Sequence, residues 1–93
     1  MNSEFGLPRT AIVTGGARRI GAALVRALAA DGWHVAIHCN TSRDEADALC
    51  AELRAAGQGA HVIVADLADA GSAAQIVAQA QVDAPPLGML VNN

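Results

Sequence analysis

Thr10-Ala11-Ile12-Val13-Thr14-Gly15-Gly16-Ala17-Arg18-Arg19-Ile20-Gly21 carries a short β-branched segment into a glycine turn, and an alanine- and leucine-rich segment with helical spacing follows. A strand that turns through glycines into a helix leaves backbone N–H groups unpaired at the positive end of the helix dipole. Such an arrangement binds phosphate. The turn matches neither Gly-x-Gly-x-x-Gly nor a phosphate-binding loop, which needs a lysine. Its spacing is wider, with Gly15 and Gly21 separated by five residues that include Arg18 and Arg19. A glycine turn is sometimes only a tight connection. Thr14, Gly15 and Gly21 set together around two arginines argue instead for a nucleotide.

Outward from this stretch the hydrophobic period alternates. Residues 10–14 read as a strand, and Ile20 to Ala30 as a helix with Ile20, Leu24, Ala27 and Leu28 on one stripe, ended by Asp31-Gly32. His34 to His38 reads as a second strand. Arg43 to Ala56 is a helix with Ala46, Leu49, Cys50 and Leu53 on one face, stopped by Gly57. His61 to Val64 is a third strand, and a helix from about Ser72 to Gln81 carries Ala73, Ile76, Val77 and Ala80. Pro85-Pro86 forces a turn before a fourth strand, Leu87 to Val91. The order β-α-β-α-β-α-β, with short apolar strands, predicts a doubly wound parallel α/β sheet, covered by helices on both faces and joined by right-handed crossovers. Ligands of such sheets sit at the carboxyl ends of the strands. Here those ends are the glycine turn, residues 38–43, residues 65–67 and residues 92–93.

Composition limits the chemistry. The 93 residues make about one small domain, and 53% hydrophobic content excludes a disordered tail. A net charge of −3 argues against a nucleic-acid surface. The chain holds no tyrosine and no lysine, so a mechanism needing either as acid, base or Schiff-base partner cannot be completed on these residues. Cys39 and Cys50 read as free, reduced thiols of a cytoplasmic protein, and no Cys/His spacing suits a metal. The apolar runs are too short to span a membrane. Residues 1–8 read as a flexible start or a cloning remnant, and residues 9–93 as the cofactor-binding part of one domain.

Each candidate site residue has a plainer alternative. After the second strand comes His38-Cys39-Asn40-Thr41-Ser42-Arg43, where NAD-preferring proteins place a carboxylate for the ribose 2′-hydroxyl. No carboxylate occurs until Asp44. Amide, hydroxyl and guanidinium donors suit a 2′-phosphate, which favours NADP. Alternatively, Ser42 caps the second helix and Arg43 is solvated. Asp66 either accepts a bond from an adenine amino group or begins a turn or helix. Asn92 and Asn93 bond backbone groups at the strand end or are uninformative. His34 and His61 read as structural, and His38 stands at the ligand end.

Three signatures, Thr14-Gly15-x-x-x-x-x-Gly21, Ala65-Asp66-Leu67 and Val91-Asn92-Asn93, together resemble the N-terminal half of the short-chain dehydrogenase/reductase family, over nearly the whole chain. Arg19 replaces the glycine most members carry, and Thr-Gly-Gly-Ala-Arg-Arg-Ile-Gly is similar to the pteridine reductase branch, which includes dihydromonapterin and dihydrofolate-type reductases. Val35-Ala36-Ile37-His38, Ser42 and Glu45-Ala46 carry the same likeness. The resemblance implies the first four strands of a three-layer, Rossmann-like fold and an NADPH or NADP cofactor. It implies Gly15, Arg18, Arg19 and Ile20 at the pyrophosphate, with Arg19 toward substrate as well. His38, Asn40, Thr41 and Ser42 would lie at the 2′-phosphate end, Asp66 and Leu67 at adenine, and Asn93 along the adjoining ribose. In that branch an arginine often precedes the serine, whereas this chain has Thr41 there and Arg43 after it.

The family's catalytic serine and Tyr-x-x-x-Lys lie beyond the two asparagines, so the resemblance implies no catalytic residue within these 93. It also implies a tetramer built by later helices. The leading expectation is the cofactor half of an NADPH-dependent reductase acting on a pterin or a related carbonyl or imine. The rest of the same protein would pair with the fourth strand, whose edge soluble proteins do not leave open. The alternatives are a general carbonyl or 3-oxoacyl reductase-like enzyme, and a non-catalytic nucleotide-binding module.

Overall fold

A strand with helices over both of its faces must be apolar along its whole length, and β1 (Thr10–Val13) is buried at all four positions. The computed structural model describes residues 9–93, and the expectation for residues 1–8 lies outside the described residues. After β1 come α1 (Arg19–Ala30), β2 (His34–Cys39), α2 (Arg43–Ala55), β3 (Ala60–Val64), α3 (Ser72–Ala80) and β4 (Leu87–Val91). The sheet runs β3-β2-β1-β4 with every pair parallel. Chain order therefore reverses beside β1. This switch point opens a crevice at the carboxyl ends of β1, β2 and β4. Val13 stands beside Ile37 on one side and Val91 on the other, so those ends are level.

Alternation along the strands sorts the core into two layers. Val13, Val35, Ile37 and Cys39 pack with Val25 and Ala29 of α1 and with Ala46, Leu49 and Leu53 of α2. Ile12, Ala36 and Ile63 pack with Ile76 and Ala80 of α3. Two helices cover one face and one covers the other, giving a three-layer Rossmann-like α/β sheet. Gly32, with φ 95°, closes α1 as the sequence led one to expect. Its N–H donates to the Ala29 carbonyl at 3.0 Å, and that of Trp33 to the Leu28 carbonyl at 3.1 Å.

Two helical stripes differ from expectation. In α1 the buried residues are Gly21, Ala22, Val25 and Ala29, with Leu24 and Leu28 flanking them. Ile20 is 72% exposed and Ala27 is exposed too. Small residues let α1 approach the sheet closely, and a reading weighted by side-chain hydrophobicity undervalues them. In α3, Ile76 and Ala80 are buried, whereas Ala73 and Val77 line an apolar groove with Leu67 and Leu90. The α2 face, Ala46, Leu49, Cys50 and Leu53, is buried as expected. Both cysteines are free and buried, and burial pushes both thiols above their ordinary pKa. Among the described residues no helix is long and apolar enough to cross a membrane.

Candidate functional site

The turn after β1 is tied to both neighbouring strands. Thr14 N–H donates to the Val91 carbonyl at 3.0 Å. The Thr14 hydroxyl accepts from Asn93 N–H at 2.9 Å and lies 3.3 Å from both the Val91 carbonyl and Asn92 Oδ1. Toward β2, Gly15 N–H donates to His38 Nδ1 at 3.1 Å, and Gly16 N–H donates to the His38 carbonyl at 2.9 Å. Asn93 Nδ2 donates to the Gly15 carbonyl at 3.1 Å. Gly15 takes φ 60°, and a Cβ on Gly21 would stand 2.1 Å from the Gly15 carbonyl oxygen. The first turn of α1 thus rests directly on the bend, which explains a glycine at each end of the motif.

The N-terminus of α1 is open. Arg18 occupies the N-cap without a side-chain capping bond, and the first turn contains no acidic residue. The N–H groups of Arg19, Ile20 and Gly21 have no intrahelical acceptor. Arg19 is exposed and left-handed at φ 54°, a conformation that costs a non-glycine residue about 1–2 kcal/mol. Glycine would meet that backbone demand without strain.

Beside the turn lies a cavity of about 220 Å³, walled by Gly15, Ala17, Arg18, Cys39, Asn40, Thr41 and Ser42. No carboxylate lines it. Ser42 holds the N-cap position of α2 but makes no capping bond, so its hydroxyl is not spent on the helix. Arg18 Nε lies 3.4 Å from Glu45 Oε2, in a half-exposed pair. Arg43, counted from sequence among the anion-attracting groups, is instead turned along α2, with Nε 3.3 Å from each Asp47 carboxylate oxygen. A larger hollow of about 410 Å³ surrounds His34, Arg54, His61 and Asp83 at the opposite end of the sheet. It contains none of the predicted site residues.

Gly15, Arg18, Asn40, Thr41 and Ser42 therefore share one cavity, with Arg19 and Ile20 on the adjoining first turn of α1. Asn93 braces the bend. Leu67, 53% exposed, lines the groove on the far side of β1 with Thr14 and Asn92. Asp66 begins a turn, its Oδ1 accepting from Ala68 N–H at 2.9 Å, and it does not cap α3, whose N-cap is Gly71. His38 is a correction. It is 3% exposed and both ring nitrogens are engaged by protein groups, so it lies beneath the turn rather than on the cavity wall. The reading from sequence missed the Thr14 hydroxyl, which ties the end of β1 to residues 91–93, and Cys39, which forms part of the wall. Cys39 was detectable by parity, two residues after Ile37 on the same face of β2.

A family model described as short chain dehydrogenase matches residues 9–93. The chain is 42% identical over 85 residues to an uncharacterized oxidoreductase of Mycobacterium tuberculosis, covering 91% of this chain and 32% of the relative. It is 32% identical over 87 residues to the 3-oxoacyl-[acyl-carrier-protein] reductase FabG of Staphylococcus aureus, covering 94% of this chain and 35% of that protein. Among solved structures, FolM alternative dihydrofolate reductase 1 from Brucella canis, complexed with NADP, matches with a TM-score of 0.84 and 46% identity, over 91% of this chain and 33% of the other. The chain spans about a third of the length of the curated relatives it matches.

Proposed function

The chain belongs to the short-chain dehydrogenase family, and from that premise we propose that it forms the NADP(H)-binding part of a pteridine-type reductase. One observation carries the cofactor: an uncapped helix N-terminus with two arginines opens beside a cavity walled by amide, hydroxyl and guanidinium groups and by no carboxylate. The residues fit the group. The α1 amides and Arg19 would hold the diphosphate. Arg18, Asn40, Thr41 and Ser42 would hold the 2′-phosphate, for which Arg18 must turn from Glu45. Asp66 has one carboxylate oxygen committed to its own turn and the other available for an adenine amino group. Exposed Leu67 would offer the base an apolar contact, and Asn93 would lie along the ribose.

When bound, the reduced nicotinamide supplies the hydride for a C=N or C=O carbon. This chain's residues bind and orient. The proton-donating groups belong, in this reading, to the remainder of the polypeptide, which also continues the sheet beyond β4. The NADP-bound FolM relative at 46% identity and the arginine at position 19 favour a pterin. The FabG relative favours a second reading, reduction of a 3-oxoacyl thioester. Two measurements on the full-length protein test the proposal. NADPH is expected to bind at least about tenfold more tightly than NADH, since a phosphate matched by charge-assisted hydrogen bonds is worth more than about 1.4 kcal/mol. Equal affinities would remove the cofactor assignment. Turnover of dihydrobiopterin above that of an acetoacetyl thioester supports the pterin, and the reverse order selects the second reading.

A further inference from the structure

His38 is buried at the carboxyl end of β2 with a protein partner on each ring nitrogen. Nδ1 lies 3.1 Å from the Gly15 amide nitrogen, and Nε2 lies 2.9 Å from the Ala65 carbonyl oxygen. An amide N–H only donates and a carbonyl only accepts. The two contacts therefore select a single ring state: neutral, bare at Nδ1 and protonated at Nε2. The carbonyl of the same residue takes the next amide of the turn, Gly16 N–H, at 2.9 Å. Two successive amides of the bend thus hang from one residue of β2. The ring holds the Thr14–Gly15 peptide and the His38 carbonyl holds the Gly15–Gly16 peptide, whose carbonyl oxygen accepts from Asn93 Nδ2 and underlies the start of α1 at Gly21.

We propose that His38 is a positioning residue for the dinucleotide, acting through the Gly15 amide without touching the ligand. The inference rests on the NADP(H) reading above and deepens it. The ring fixes the Thr14–Gly15 peptide on one side of the Gly15 Cα, which limits how the following Gly15–Gly16 peptide sits beneath Gly21 and so the direction in which the free amides of α1 face the diphosphate. Its second bond, to Ala65, anchors the ring to the end of β3, so the ends of β1, β2 and β3 move together.

Asparagine and glutamine separate the two bonds. In His38→Asn, Oδ1 falls near the position of Nδ1 and still accepts from Gly15, while nothing reaches Ala65. In His38→Gln, the longer side chain brings Nε2 toward the Ala65 carbonyl and leaves Gly15 N–H without an acceptor. In the full-length protein, NADPH affinity of His38→Asn is expected to stay within about threefold of wild type, and that of His38→Gln to fall about tenfold or more, the effect of one part-buried donor losing its acceptor. Equal losses in the two variants, or a larger loss in His38→Asn, overturn the proposal while wild-type binding leaves the cofactor reading standing. No NADPH binding by wild type overturns both. Should either variant fail to fold, nitrogen NMR of labelled histidine in wild type decides. A bare Nδ1 and a protonated Nε2, unchanged by NADPH, support the proposal; a protonated Nδ1 is incompatible with the Gly15 bond and overturns it.

Discussion

A hydrogen in place of a methyl at Gly21 is what lets the first turn of α1 sit on the Gly15 carbonyl. A Cβ there would stand 2.1 Å from backbone oxygen and 2.7 Å from Asn93 Nδ2, and the backbone partner cannot rotate away. Gly21→Ala is expected to cost about 1–3 kcal/mol of stability, as overpacking does, and to lower NADPH affinity with it. Thermal melts and a fluorescence titration of the full-length protein would read both. Arg19 behaves in the opposite way. Its left-handed φ of 54° is a strain that glycine would not carry. Arg19→Gly is expected to leave the melting temperature unchanged or slightly raised while NADPH affinity falls several-fold, because a cation leaves the helix N-terminus. Parallel losses of stability and affinity would show the arginine to be structural.

At the scale of elements, β2, β3 and α3 are joined at their far end by two histidines. His34 Nε2 lies 2.8 Å from His61 Nδ1, and His61 Nε2 lies 3.1 Å from the carbonyl of Gln79 in the last turn of α3. The carbonyl requires a proton on His61 Nε2, so in the neutral pair His34 Nε2–H donates to His61 Nδ1. Burial holds both pKa values below the ordinary 6.5, and for His34 the neighbouring His61 and Arg54 push the same way. A lowered folded-state pKa means the unfolded chain takes up protons first. Stability is then complete above pH 6.5 and declines as the pH falls below it. Protonating both rings would also set N–H against N–H. Melting temperatures are expected to drop between about pH 7 and pH 5.5 in wild type, and to drop less when both histidines are replaced by glutamine. Equal slopes would contradict this account.

For the whole molecule, β4 is the sheet edge next to β1, and Leu90 on it is 58% exposed. Beside it an apolar groove of about 180 Å³ is lined by Ile12, Leu67, Ile76, Val77 and Leu90. An edge of this kind invites a further strand, and the relatives are about three times as long as this chain. If the rest of the polypeptide extends the sheet, amides of Leu87–Val91 that point away from β1 will exchange slowly with deuterium in the full-length protein and rapidly in the 93-residue chain. Rapid exchange in both would mean that nothing pairs with this edge.

The order of elements, the parallel sheet and the glycine turn were all legible in the sequence, because periods of two and 3.6 and the turn chemistry of glycine are local properties. The cluster Gly15, Arg18, Asn40, Thr41 and Ser42 was legible for a related reason: parallel strands bring their carboxyl ends to one side. Tertiary structure alone decided which face of α1 is buried, since close approach to a sheet selects glycine and alanine over leucine. It also decided that His38 supports the turn from beneath, whereas the Arg43–Asp47 pair, four residues apart on α2, lay within reach of a local reading. The α1 face and the His38 bonds are contacts between residues on different elements, and no local pattern encodes a distance across the sheet.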